Sequence, residues 1–382
     1  MNYPIPLSQP DLINREIEAV VSVLKTPYLS LGPKLQEFEA KIADYVDTKY
    51  AVAVNSGTSG LHLIVRAMGI REEDEVITTP FSFIASANCI LFERAKPVFV
   101  DIDPKTLNID VEEIAEMLES LERERLKKIK AILAVDVFGQ PAEWDRLQEL
   151  AKKYNLKLIE DSAEALGAEY KGRKAGSLGD AGVFGFYPNK QITMGEGGVI
   201  VTSNEEIAKL CKSMRNQGRN EGDSWLQHER LGYNYRISDI NCALGIAQLE
   251  RLDEILEKRK KVAQMYNQKL KDLKGVKIPC ASSYVKMSWF VYAVQLNNNY
   301  TQEDRDEILG ELEKRGIGCN NYFTPVHLQP FYREMFGYKE GDFPITEKVS
   351  KSTIALPFYN NLAEKQIDYV CENLKEILEG MK

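Results

Sequence analysis

The sequence has few of the residues that build metal centres and disulfide frameworks. Its 382 residues include three histidines and six cysteines, and the cysteines are scattered without any C-x-x-C pair. Scattered thiols favour isolated, reduced cysteines over disulfide bonds, and no histidine lies at metal-ligand spacing from a cysteine. We therefore expect no metal site in this chain.

Long apolar runs and an excess of positive charge are also missing. No stretch approaches 18 apolar residues, and the first residues, MNYPIPLSQPDLI, lack the basic and apolar segments of a secretory signal. The net charge is −8, which argues against broad binding to nucleic acids or anionic membranes. These features predict a cytoplasmic protein whose partners are small molecules.

From about residue 50 the chain alternates short apolar runs with amphipathic stretches. The apolar runs predict strands, and the stretches with apolar residues at helical spacing predict helices. The predicted strands are residues 51–54, 75–79, 97–101, 131–139 and 157–161, and the predicted helices include 61–68, 83–92 and 142–154. This alternation predicts an α/β fold with a mainly parallel sheet sandwiched by helices.

The pattern changes after about residue 203. One long helix is predicted over residues 239–270, and mixed strands and helices follow residue 276. Because 382 residues exceed one ordinary core, we expect two domains. The large domain is predicted over residues 13–255, and a smaller α+β domain over 256–382, with residues 1–12 packing near it.

Polar residues follow the predicted strands at the sheet edge where ligands of open α/β sheets bind. The segment Asn55-Ser56-Gly57-Thr58-Ser59-Gly60 lies between a strand and a helix, where free N–H groups suit a phosphate. An ordinary helix cap explains the same residues equally well. No G-K-[ST] follows, so this is not a Walker P-loop.

Two further segments carry charged groups at the same edge. Glu160-Asp161 ends an apolar strand and could bind magnesium, orient a histidine or pair with a cationic ring nitrogen, and the alternative is a carboxylate that caps the next helix. Lys190 lies between the aromatic run Phe184–Tyr187 and a glycine-rich turn, in a setting that desolvates an amine. A lone lysine in such a loop would more often be an ordinary surface residue.

Taken together, the three segments match the three functional groups of pyridoxal phosphate. Its phosphate suits the turn at Gly57, its ring nitrogen needs a carboxylate such as Asp161, and its aldehyde condenses with a lysine such as Lys190. A nicotinamide cofactor has less support, because no G-x-G-x-x-G follows a strand.

Long motifs then make the sequence resemble a known family. They are NSGTSGLHL at 55–63, FSFIASANCI at 81–90, EDSAEALGAEYKG at 160–172, FGFYPNKQITMGEGG at 184–198, LGYNYR at 231–236 and ALPFYNNL at 355–362. The chain resembles the DegT/DnrJ/EryC1/StrS sugar aminotransferases within the fold-type I pyridoxal-phosphate enzymes. The resemblance implies transfer of an amino group from glutamate to a nucleotide-linked keto-sugar, such as a 4-keto-6-deoxyhexose, by a homodimer with shared sites.

The resemblance also implies roles for individual residues. Lys190 and Asp161 would be catalytic, Lys190 as the lysine that binds the cofactor and moves protons. The implied cofactor-binding set is Gly57, Thr58, Ser59, Phe83, Asp161, Glu164, Lys190 and Asn234, with Asn234 reaching the phosphate of the other subunit. The implied substrate-binding set is Tyr322, His327 and Arg236; for His327 a structural role is the alternative, and for Arg236 an interface ion pair.

Two positions depart from the usual family pattern. Gly185 stands where a serine is common, which removes one hydroxyl contact to the phosphate. Glu164 stands where glutamine is common, which places a carboxylate near the ring hydroxyl or the substrate. The alternatives to an aminotransferase are a pyridoxal-phosphate sugar dehydratase and a non-catalytic cofactor-binding regulator. Lys190 argues against the dehydratase, in which a histidine replaces the lysine.

Overall fold

The computed structural model describes residues 4–381 except 221, 223 and 225. Its strands are β1 (Tyr50–Val54), β2 (Glu75–Thr78), β3 (Lys96–Phe99), β4 (Ile129–Val135), β5 (Lys157–Asp161), β6 (Glu169–Tyr170), β7 (Arg173–Lys174), β8 (Ala181–Gly185), β9 (Gly198–Thr202), β10 (Val276–Lys277), β11 (Val285–Lys286), β12 (Tyr292–Leu296) and β13 (Thr353–Leu356).

The helices alternate with these strands. They are α1 (Asn14–Leu24), α2 (Pro33–Tyr45), α3 (Gly57–Ala67), α4 (Ala85–Leu91), α5 (Val111–Ser120), α6 (Arg123–Leu126), α7 (Trp144–Tyr154), α8 (Glu205–Arg215), α9 (Asp239–Leu249), α10 (Leu252–Leu270), α11 (Gln302–Lys314), α12 (Pro330–Phe336), α13 (Pro344–Ser352) and α14 (Glu364–Gly380), with 3₁₀ turns at Val137–Gly139 and Val326–Leu328. Among the helices of the described residues, none is both long and apolar enough to cross a membrane.

The main sheet has seven strands in the order β1-β9-β8-β5-β4-β2-β3. The pairs β8–β5, β5–β4, β4–β2 and β2–β3 are parallel, whereas β9 is antiparallel to both of its neighbours. The predicted mainly parallel sheet is therefore confirmed, with β9 as the inverted strand. Strands β1, β5 and β8 all end at the same edge, which brings the loops after them together.

Helices cover both faces of this sheet. In β1, Val52 and Val54 pack in the cluster that contains Leu61 of α3, while Ala51 and Ala53 pack in the cluster of α2. Successive side chains of a strand point to opposite faces, so an apolar strand of this kind must be covered twice. The α/β sandwich predicted from the sequence is thus confirmed.

A second sheet, in the order β10-β12-β13, lies in the C-terminal part of the chain. Its residues Tyr292 and Val294 share an apolar cluster with side chains of α10, α11 and α14. Ile5 belongs to the same cluster and forms a parallel bridge with Ile317. The division at residues 255 and 256 falls inside the continuous helix α10, and this domain boundary stays a prediction.

Two predicted elements differ from the structure: one strand is shorter than predicted, and one long helix is divided into two. The strand predicted over 131–139 ends at Val135, because Phe138 adopts a left-handed conformation with φ of 58° inside a 3₁₀ turn. The helix predicted over 239–270 is broken between α9 and α10, where Arg251 has φ of −109° and ψ of 7°. The guanidinium of Arg251 there pairs with buried Glu16, a contact that no local periodicity reveals.

Candidate active site

The turn between β1 and α3 has the geometry of an anion site. Ser56 is the N-cap of α3, and its hydroxyl accepts a hydrogen bond of 3.1 Å from the amide of Ser59. The amides of Gly57 and Thr58 belong to the first helical turn, where no intrahelical acceptor exists. The helix cap is therefore present, and it leaves the amides of Gly57 and Thr58 without an intrahelical acceptor, so a phosphate at this turn stays a prediction.

Asp161 ends β5 and is buried. The hydroxyl of Ser86 in α4 donates a hydrogen bond of 2.6 Å to its Oδ2, and the amide of Ala163 donates one of 3.2 Å to its Oδ1. Burial raises the pKa of Asp161, while these two donors and the positive charge of Lys190 oppose the rise. A cationic N–H placed against this carboxylate would further stabilise its ionised form.

Lys190 lies between an aromatic ring and a carboxylate. Its Nζ is 3.9 Å from the centre of the Phe290 ring and 3.5 Å from Oε1 of Glu164, and its side chain is 15% exposed. The other oxygen of Glu164 accepts a hydrogen bond of 3.0 Å from the amide of Phe138. Burial raises the pKa of Glu164, and the charge of Lys190 and the Phe138 amide lower it.

The three segments converge on one place. A Cβ built on Gly57 would lie 3.5 Å from the Cα of Gly185, and one built on Gly185 would lie 3.6 Å from the Cβ of Ala163. Ala163 stands between Asp161 and Glu164 in the chain, and Glu164 contacts Lys190. The anion site, the buried carboxylate and the amine therefore surround a common space.

Two predicted aromatic residues lie around this space. Phe83 is 63% exposed although it is a large apolar side chain, and its carbonyl oxygen lies 3.3 Å from the hydroxyl of Ser86, the partner of Asp161. An exposed ring is what a stacking role on the cofactor requires, and this exposure does not fit an aromatic residue of the core. Tyr322 packs beside Phe290, and burial, with the charge of Glu164, raises its pKa to about 12.

The remaining predicted residues lie elsewhere. His327 is fully buried, and its Nε2 is 3.1 Å from Glu347, so the structural alternative fits this residue better than a substrate contact. Arg236 donates a hydrogen bond of 3.1 Å to Asn216, and Asn234 is exposed on the same segment. Among the described residues, no contact joins Arg236 or Asn234 to Lys190 of the same chain.

Several neighbours of the site were not predicted. Ser86 holds Asp161, Phe290 contacts Lys190, and the Gln191 side chain donates to the Glu164 carbonyl and, at 2.9 Å, to the hydroxyl of Ser288. Ser86 lay within a motif that carried the family resemblance, whereas Phe290 comes from a segment about 100 residues away that gave no signal.

The donor set fits pyridoxal phosphate. The amides at Gly57 and Thr58 suit its phosphate, Asp161 suits the protonated ring nitrogen, and Lys190 suits the aldehyde. Oδ1 of Asn189, next to the lysine, is buried without a hydrogen-bond partner among the described residues. A buried polar atom of this kind is normally satisfied, so it indicates an additional group bound here.

Gly185 provides a test of the anion site. In Gly185→Ser the new Cβ makes only ordinary contacts with Ala163, and the hydroxyl adds a donor beside Gly57. We expect the dissociation constant of pyridoxal phosphate, measured by equilibrium dialysis, to fall about tenfold, the scale of a hydrogen bond to a charged group. Gly185→Ala adds the same Cβ without a hydroxyl, and equal affinities of the two variants would contradict this interpretation.

Comparisons with known proteins agree with the geometry. The model of the DegT/DnrJ/EryC1/StrS aminotransferase family matches residues 10–375. An uncharacterised protein of Methanocaldococcus jannaschii is 40% identical over 383 residues, covering 98% of this chain and 97% of that protein. GDP-perosamine synthase of Caulobacter vibrioides is 38% identical over 376 residues, covering 98% of each chain.

A solved structure shares the whole fold. The pyridoxal-phosphate form of a sugar aminotransferase from Streptococcus pneumoniae superposes with a TM-score of 0.92 at 28% identity and covers 100% of both chains. These similarities support an aminotransferase and give no support to the dehydratase or the regulator. The chain belongs to the DegT/DnrJ/EryC1/StrS aminotransferase family and is a pyridoxal-phosphate-dependent sugar aminotransferase of fold type I.

Proposed function

We propose that this chain acts in the cytoplasm and transfers the amino group of glutamate to a nucleotide-linked keto-sugar. The substrate class we favour is a 4-keto-6-deoxyhexose, and the product would serve cell-surface polysaccharide or amino-sugar biosynthesis. The similarity to a GDP-perosamine synthase supports a nucleotide-linked amino sugar as the product. The observation that carries the proposal is the convergence of Lys190, Asp161 and the Gly57 turn.

Each part of the site has a separate task in this proposal. The amides of Gly57 and Thr58 would hold the phosphate, with Ser59 completing the turn, and the exposed ring of Phe83 would stack on the cofactor. Asp161, fixed by Ser86, keeps the ring nitrogen protonated. When bound, pyridoxal phosphate supplies the electron sink and carries the amino group between the two half-reactions.

Lys190 moves the proton in each half-reaction. Its Nζ takes a proton from the carbon that bears the amino group of glutamate, and it later delivers one to the carbon of the sugar that receives nitrogen. Glu164, 3.5 Å away, stabilises the amine in its charged form between these transfers. Tyr322 stays a proposed substrate contact, since it lies beside Phe290 at the same space.

Transfer of labelled nitrogen tests the reaction. The enzyme is mixed with ¹⁵N-glutamate and a panel of nucleotide-linked keto-sugars, and the products are identified by mass. We expect ¹⁵N in the sugar and an equal amount of 2-oxoglutarate. Loss of water from the sugar without incorporation of nitrogen would refute the proposal in favour of a dehydratase.

We further propose that the active form is a homodimer in which Asn234 completes the site of the partner. Asn234 lies between Tyr233 and Tyr235, whose rings stack 4.9 Å apart and anchor the segment, while Asn234 itself is exposed. The carbonyl of Tyr235 accepts a hydrogen bond of 3.0 Å from Asn55, beside the anion site. The segment thus connects its own anion site to the surface from which Asn234 and Arg236 would reach the partner.

Mixed dimers test this sharing of the site. Lys190→Ala and Asn234→Ala are each expected to be impaired, at limiting cofactor, as separate homodimers. A mixed dimer of the two has one site with both native residues, so random 1:1 exchange should restore about a quarter of the native activity. Lys190→Ala mixed with Asp161→Ala restores no site, because both residues act in one subunit, and equal results from the two mixtures would contradict the proposal.

A further inference from the structure

The segment Ser288–Phe290 contacts Lys190 through the ring of Phe290. Ser288 accepts a hydrogen bond from Gln191, the residue after the lysine, and its amide donates 3.1 Å to the carbonyl of Gly139. The amide of Phe290 donates 3.2 Å to the carbonyl of Phe138. This segment therefore bonds both to the lysine loop and to the turn whose amide holds Glu164.

A buried arginine, Arg259, holds the same segment by donating hydrogen bonds to its backbone. Nε and Nη2 of Arg259 donate hydrogen bonds of 2.7 and 2.8 Å to the carbonyls of Trp289 and Phe290, and Nη1 donates one of 3.0 Å to Asn360. No carboxylate of the described residues pairs with Arg259, and burial lowers its pKa to about 9. Trp289 has a left-handed φ of 54°, an unfavourable conformation for a bulky residue unless its surroundings fix it.

We propose that Phe290 is a further catalytic residue, which stabilises the charged amine of Lys190, and that Arg259 is the residue that positions it. The inference rests on the proposed role of Lys190. An aromatic face 3.9 Å from Nζ favours the cation, in addition to the nearby Glu164. The positioning role of Arg259 also explains Asn360, which lies in the ALPFYNNL motif and accepts the third hydrogen bond of Arg259.

The geometry explains why an arginine occupies this buried position. Burying an unpaired cation is unfavourable, and an apolar side chain would pack here at lower cost. Only a planar guanidinium presents two donors in a fixed fork to the carbonyls of successive residues, which a lysine cannot do. The peptide of Trp289 is thereby held so that the Phe290 ring stays under the amine.

Competitive acetylation of the full-length chain, freed of cofactor, tests the role of Phe290. Peptide mass spectrometry measures the acetylation of Lys190 as a function of pH. The midpoint of this curve reports the charge of the amine, and its plateau reports the accessibility of the amine. The charged groups facing the amine, Glu164 and Asp161, are unchanged in Phe290→Leu. We expect the midpoint to fall by about one pH unit in this variant and to recover in Phe290→Tyr. Phe323→Leu, in the same cluster, should not shift it.

A second set of variants tests Arg259. Arg259→Lys should lower the midpoint in the same direction, and the double variant with Phe290→Leu should lower it no further than Phe290→Leu alone. Arg305→Lys is the matched control, because Arg305 is equally buried and donates to the carbonyls of Ser350 and Thr353 in another region. If Arg259→Lys fails to fold, Asn360→Ala should give a smaller shift of the same sign.

The outcomes separate the two roles from the proposed function. An unshifted midpoint in Phe290→Leu would overturn the role of Phe290, and additive shifts would overturn that of Arg259. Adding pyridoxal phosphate to the native chain should protect Lys190 from acetylation. Absence of this protection would count against the proposed function and not against the contact between Phe290 and the amine.

Discussion

Lys190→Ala is expected to lower kcat by about 10⁴-fold or more, because the variant loses both the group that condenses with the cofactor and the group that moves protons. Among the described residues, no other lysine contacts Glu164 or Phe290 in the site. The Gly57 turn and Asp161 are untouched, so the cofactor should still bind without a covalent bond. Single-turnover measurements and the absorbance of the bound cofactor would show both effects.

A control variant and a rescue experiment make this prediction specific. Lys174→Ala removes a half-buried lysine that pairs with Glu169 outside the site, and it should retain native kcat. A small primary amine added to Lys190→Ala should restore part of the turnover, because it can enter the space left by the side chain. Native turnover in Lys190→Ala would overturn the assignment of the lysine.

The parts of the site that could be predicted from the sequence are those that lie at strand ends. Asn55 to Gly60 follows β1, Asp161 ends β5 and Lys190 lies shortly after β8, so their approach follows from a parallel sheet. The fold class was accessible for the same reason, since apolar runs alternated with amphipathic helices. The family motifs then added specific roles that periodicity alone could not supply.

The contacts that were missed depend on pairings between distant segments. Phe290, in the segment before β12, contacts the lysine, and Arg259 of helix α10 holds that segment through its carbonyls. Nothing local marks either residue. For His327 the sequence left a substrate contact and a structural role open, and the structural role fits better, because the side chain is enclosed by aromatic rings and bonded to Glu347. Which face a side chain takes is decided by packing, which the local pattern does not encode.

The adjacent carboxylates Glu160 and Asp161 show how a strand separates two tasks. Successive residues of β5 point to opposite faces, so Asp161 faces Ser86 and the site, whereas Glu160 faces the amides of Gly176, Leu178 and Gly179 at 2.5, 2.7 and 3.1 Å. Glu160 therefore holds the loop before β8, a role that the sequence pattern does not reveal.

Glu160 also shares a hydroxyl with a second buried carboxyl, Asp136. The Oγ of Ser162 lies 2.8 Å from Oδ2 of Asp136 and 2.9 Å from Oε1 of Glu160, but a hydroxyl has only one hydrogen. One carboxyl must therefore be protonated. Both oxygens of Glu160 accept backbone amides, which favours its ionised form, so we assign the proton to Oδ2 of Asp136. Burial, with the charge of Glu160, raises the pKa of Asp136 well above its usual range.

Two isosteric substitutions should consequently differ strongly in their effect on stability. In Asp136→Asn the side-chain NH₂ donates to Ser162, and Oδ1 keeps the hydrogen bonds that it accepts from Ala142 and Trp144. The free energy of unfolding at neutral pH should therefore change by about 1 kcal/mol or less. In Glu160→Gln the new NH₂ faces backbone donors, whichever way the amide is turned. We expect the free energy of unfolding of Glu160→Gln to fall by about 2–4 kcal/mol, measured by urea unfolding of the cofactor-free chain.

The pH dependence of unfolding then distinguishes the protonated carboxyl from the ionised one. Because the pKa of Asp136 is raised on folding, the native state binds a proton that the unfolded state releases above about pH 4. The stability of the native chain should therefore fall with rising pH until the raised pKa is passed, and Asp136→Asn should lack this contribution. From about pH 4 up to the raised pKa of Asp136, the urea midpoint of Asp136→Asn should rise relative to that of the native chain. Parallel profiles, or a Glu160→Gln variant as stable as Asp136→Asn, would place the proton elsewhere.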